Sequence, residues 1–151
     1  MGEFFSGLSS AASVVKAIQS MIKNTRGVER ALLLELQKNI SLIYLFIDNP
    51  EKYKTVVNRL ETRSYEDAAK SDFNFNAVKK TRVSARVAAG VKQLQPYVGW
   101  TTEQLFENVH LKIHALKTII DVDPDNNKFR IKIRLTNLHK VMILLLKHIK
   151  S

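Results

Sequence analysis

Lys128-Phe129-Arg130-Ile131-Lys132-Ile133-Arg134-Leu135 alternates strictly between cation and hydrophobe, and how this octapeptide is read decides whether the chain is wholly helical. Alternation with a period of two marks a half-buried strand. Read that way, the stretch pairs across Pro124-Asp125-Asn126-Asn127 with Ile119-Ile120-Asp121-Val122-Asp123. A small β-hairpin near residues 119–134 would then set Asp121 and Asp123 close to Lys128 and Arg130. The same residues fit a second pattern. Ile131, Leu135, Leu138, Met142, Leu145 and Ile149 recur at steps of three and four, the period of one helix, and an isolated two-stranded hairpin is marginal unless packed on something. Both readings end in a helix from Thr136 onward.

Working outward, helical periodicity dominates. Thr101 and Gln104 form a capping box, after which Leu105, Val109, Ile113, Leu116 and Ile120 follow at steps of four, four, three and four, the clearest amphipathic helix in the chain. Upstream, Asn76 to Leu94 carries Val83, Val87, Val91 and Leu94, a seam that favours another helix despite Gly90. Near the start, Phe4, Leu8, Ala12, Val15, Ile18 and Ile22 mark a first helix over 4–23. Asn24 and Thr25 then cap a long apolar helix from Val28 through Ile47, which Asp48-Asn49-Pro50 stops. Asn49 caps a short helix through about Leu60 with Pro50 at its first position, and Ser64 with Asp67 has the spacing of a cap before another short turn. The expectation is an all-α multi-helix bundle forming one domain over 1–151, with the hairpin at 119–134 as its one open element.

Composition removes many chemistries. The 151 residues include no cysteine, which excludes disulfides, thiolate metal sites and cysteine nucleophiles. Five glycines, at 2, 7, 27, 90 and 99, are too scattered for a phosphate-cradling loop. There is no His-Glu-x-x-His zinc pair, calcium loop or Gly-x-Ser-x-Gly elbow. Met1-Gly2-Glu3-Phe4-Phe5 lacks a cationic leader, and no run reaches the ~18 apolar residues that would span a bilayer. We therefore expect a cytoplasmic protein without an integral membrane segment and without a cofactor.

Charge is the most informative property. Residues 1–75 hold 10 Lys and Arg against 9 Asp and Glu, whereas residues 76–151 hold 14 against 5, so nearly all of the net +10 lies in the second half. Such asymmetry points to a polyanionic partner, nucleic acid or an acidic protein surface. Lys79, Arg82 and Arg86, at steps of three and four, would line one flank of the 76–94 helix. Lys128, Arg130, Lys132 and Arg134 would make a second stripe on one side of a strand. Together these seven residues are the expected binding set. Tyr97 and Trp100 read as aromatics sealing the edge of the core.

Two further constellations carry chemistry. Glu107, His110 and His114 share one helical face, within about 60° of each other, but that face also carries Glu103 and Lys117 and points away from the apolar seam. It reads as a solvated surface, and no metal site is expected. Arg134-Leu135-Thr136-Asn137-Leu138-His139 resembles the Arg-x(4–6)-His motif of HEPN-type helical ribonucleases. The resemblance implies a helical-bundle dimer in which Arg134 binds the scissile phosphate and His139 assists attack by the RNA 2′-hydroxyl, without metal. A helix beginning near Thr136 lets the two side chains meet, whereas one continuous through Arg134 sets them about 140° apart. No complete catalytic constellation assembles, so the preferred reading is a non-enzymatic binding module. The HEPN-like ribonuclease is the first alternative, and a structural protein whose apolar faces self-associate is the second.

Overall fold

The computed structural model describes residues 11–125 and 128–151, which form six α-helices joined by turns and 3-10 segments, with no strand among the described residues. The helices are α1 Ala11–Ile22, α2 Gly27–Phe46, α3 Tyr53–Arg59, α4 Arg63–Lys70, α5 Thr102–Val122 and α6 Lys128–Lys150. The all-α bundle read from the sequence is present. No helix is long and apolar enough to cross a membrane among the described residues.

The octapeptide at 128–135 is helical, and the small hairpin over 119–134 does not form: Ile119 to Val122 complete α5, and α6 runs unbroken from Lys128. Packing decides between the two periods. Ile131, Leu135, Leu138 and Met142 fall on one face and are buried, while Phe129 and Ile133 stay exposed at 68% and 45%. A strand would have sent all four hydrophobes of the octapeptide to one side with no second layer to cover them. Asn126 and Asn127 of the proposed hairpin turn lie outside the described residues.

The centre of the bundle is the second half of α6. Six consecutive residues, Val141 to Leu146, are buried, because α6 packs against α2, α3, α5 and the 3-10 segment Lys92–Tyr97. The seam of α5 expected from Leu105, Val109, Ile113, Leu116 and Ile120 is buried in full, and the Thr101 and Gln104 capping box closes its N-terminus. Ile18 and Ile22 of α1 are buried as well; Phe4, Leu8 and the side chain of Ala12 lie outside the described residues.

The helix expected over 76–94 is absent. Its residues follow turns and the 3-10 segments Phe75–Ala77 and Lys92–Tyr97. Val83 is drawn out of helical register by bonds from its N–H to the Trp100 carbonyl (2.9 Å) and from the Gly99 N–H to its own carbonyl (2.8 Å). Gly90 and Gly99 adopt φ +84° and +88°, backbone that favours glycine. Val83, Val91 and Leu94 nonetheless reach the core, so these apolar side chains are buried by a different path.

Outside α5, the caps expected from the sequence do not form. Thr25 donates its hydroxyl back to the Ile22 carbonyl (2.8 Å), finishing α1 instead of capping α2, and neither Asn49 nor Ser64 provides a side-chain cap. The cap of α4 comes from α2. The buried Glu35 carboxylate accepts from the backbone N–H groups of Ser64 (2.8 Å) and Tyr65 (3.2 Å), satisfying amides that open the helix. Burial pushes the Glu35 carboxyl above its ordinary pKa, and the two amide bonds pull against that rise. One turn further along α2, Asn39 donates to the Glu61 carbonyl (2.8 Å) and accepts from the Glu61 N–H (2.9 Å). These two polar residues in an otherwise apolar helix fasten the segment joining α3 to α4.

Candidate functional site

The expected cations occupy two regions. Lys79 donates to the Ser151 carbonyl at the end of α6, and Arg82 donates to the Gly99 carbonyl (2.9 Å); Arg82 and Arg86 are exposed in the irregular segment. They are not the flank of a helix. Lys128 to Arg134 lie at the other end of α6, about 25 Å from His148 by helical rise. The seven residues therefore do not gather into one patch.

Nor do Lys128, Arg130, Lys132 and Arg134 form one stripe. On a helix, alternate residues are about 200° apart, so the set divides into two pairs. Lys128 lies 3.5 Å from Glu51 and Lys132 3.4 Å from Asp48, on the side facing the α2 to α3 connection. Arg130 and Arg134, one turn apart on the other side, are exposed and have no carboxylate within salt-bridge distance among the described residues. Between the pairs run Phe129 and Ile133, on the face opposite the core.

Because α6 is continuous, Arg134 and His139 point about 140° apart and do not converge within one chain. His139 is mostly buried near Tyr44, with ring centroids 6.2 Å apart, and burial pushes its pKa down to about 4. Tyr97 and Trp100 meet edge-on at 4.7 Å and pack against the core.

A buried polar contact joins the start of α5 to the end of α6. The Thr102 hydroxyl lies 2.6 Å from the Lys79 carbonyl and 2.8 Å from Nε2 of the buried His148. A hydroxyl has one proton, which the carbonyl must receive, so Nε2 of His148 carries a hydrogen and donates to Thr102. Burial and, secondly, the Lys79 charge lower the pKa of His148.

The face of α5 that carries His110 and His114 is not purely solvated. His110 stacks on Tyr65 of α4 with centroids 4.3 Å apart, and His114 lies 4.5 Å from His110 by the same measure. The carboxylate that joins them is Glu66 of α4, whose Oε1 is 3.2 Å from His114 Nε2. One ligand atom from each of Glu66, His110 and His114 lies within 4.8 Å of the other two. The sequence pattern singled out Glu107 in this role; Glu66 stands 44 residues before His110, a separation no local spacing reveals. The His114 hydrogen bond holds the Glu66 carboxyl below the usual range, and burial lowers the pKa of His110. Beside the cluster is a cavity of about 30 Å³ lined by Glu35, Asn39, Tyr65 and His110 among others, enough for water but not for an organic substrate.

Fold and surface define a basic, all-helical bundle with cations at both ends of its central helix. No protein-family model, curated protein or solved structure matches the chain.

Proposed function

We propose that the protein is a non-enzymatic helical module that holds a nucleic acid by its phosphates, using the first half of α6. The observation that carries this reading is the Arg130 and Arg134 pair, exposed one turn apart with no acid in range among the described residues. Guanidinium groups favour bidentate contact with phosphate. The +9 charge of the second half of the chain adds long-range attraction. Lys128 and Lys132 contribute less, because Glu51 and Asp48 already offset them. Lys79, Arg82 and Arg86 form a secondary region at the far end.

Titration of labelled single- and double-stranded nucleic acid between about 50 and 200 mM salt tests the proposal. Affinity should fall steeply with salt. Arg130→Gln with Arg134→Gln should flatten the log–log slope by roughly 1.5–2 on duplex, while Lys128→Gln with Lys132→Gln should change it less. Negligible binding at the low-salt end, or an unchanged slope in the arginine variant, refutes this assignment.

A further inference from the structure

We propose that Glu66, His110 and His114 form a binding site for a zinc-type divalent cation that ties α4 to α5. Three features make the donor set suitable. The ligand types are two imidazoles and one carboxylate, a combination that zinc accepts together with water in the fourth position. The two histidines are one turn apart on α5, so both reach the same side, and the third ligand arrives from a different helix.

Geometry is close to what the ion requires. Bonds of about 2.0–2.2 Å in tetrahedral arrangement place neighbouring ligand atoms about 3.3–3.6 Å apart. The His114 Nε2 to Glu66 Oε1 separation is 3.2 Å, already at that edge, and the third atom lies within 4.8 Å of both. Closing the triangle takes side-chain rotations, which the partly exposed positions of Glu66 and His114 permit. A second observation is independent of these distances: His110 Nδ1 is buried and has no hydrogen-bond partner among the described residues. An uncommitted ring nitrogen in a buried position calls for a water or an ion.

Calorimetric titration of the untagged chain with zinc chloride, paired with visible absorption on adding cobalt(II), tests the site. One saturable ion per chain is expected at micromolar concentration. Glu66→Gln, His110→Ala and His114→Ala should each weaken it by about tenfold or more, at least as much as loss of a supporting residue does elsewhere, and should abolish the cobalt ligand-field bands. Glu107→Gln should leave affinity within a few-fold. Far-UV circular dichroism confirms that each variant folds, and the exposed His114 makes the third variant the safest. Absence of one-to-one saturation overturns the proposal. So does binding that survives the double His110→Ala and His114→Ala variant, or binding lost instead in His139→Gln, because the ion would then sit elsewhere.

Discussion

The two halves of α6 share one helix and differ in almost everything else. From Lys128 to Asn137 only Ile131 and Leu135 are buried, whereas from Val141 to Leu146 every residue is. The first half is covered on one side, so a cation or an exposed hydrophobe can stand at every other position without harm. The second is surrounded by α2, α5 and the irregular segment, leaving no polar face to generate a period. A hydrophobic pattern thus records how many sides of a helix are covered as much as which helix it is.

Truncation of one side chain in each half should expose the contrast most sharply. Leu144→Ala is expected to cost about 4 kcal/mol through lost burial and the cavity left behind, whereas Ile133→Ala should stay within about 0.5 kcal/mol, both measured by urea denaturation. Equal costs would mean that a partner, such as a second copy, covers the first half.

Acid should act from the middle of α6 onward, where its histidines become buried. A histidine whose folded pKa lies below its unfolded value binds its proton more readily when unfolded, so stability is complete above about pH 6.5 and falls as pH drops. For His139, pushed down to about 4, the loss accrues from pH 6.5 to about 4 and amounts to about 3 kcal/mol, with His148 adding in the same direction. Denaturation midpoints across that interval should fall less steeply in His139→Gln. An unchanged profile would place His139 in solvent and move the start of the buried half of α6 beyond it.

Outside α6, Asn39→Ala should cost about 1–3 kcal/mol, since it removes both bonds to the Glu61 backbone and strands partly buried groups. The smallest effect belongs to the first half of α6: Lys132→Gln, breaking the exposed pair with Asp48, should change the unfolding free energy by no more than about 1 kcal/mol. A larger loss would show that the cationic face supports the fold as well as facing solvent.

Local signals were readable where the structure is local. The α5 seam and its capping box need only neighbours within one or two turns, and they match the sequence reading. The segment 76–94 was misread because its fate depends on Trp100 and Gly99 pairing with Val83, a contact that competes with helix formation and has no periodic signature. Glu35 and Asn39 looked like polar interruptions of an apolar run, because their partners at 61, 64 and 65 lie 22 to 30 residues away. Glu66 escaped notice for the same reason, being brought to His110 and His114 only by the docking of α4. The alternation at 128–135 was visible, but the absence of a covering layer for a strand was not.

The carboxylate that α2 lends to α4 makes the shorter helix a dependent element. Eight residues with no start signal of their own cannot hold a helical shape in water, so a synthetic peptide spanning 60–72 should be a random coil. Any change that loosens Glu35 is expected to move Glu66 away from the imidazole pair, so the long second helix would govern the proposed cation site from a distance.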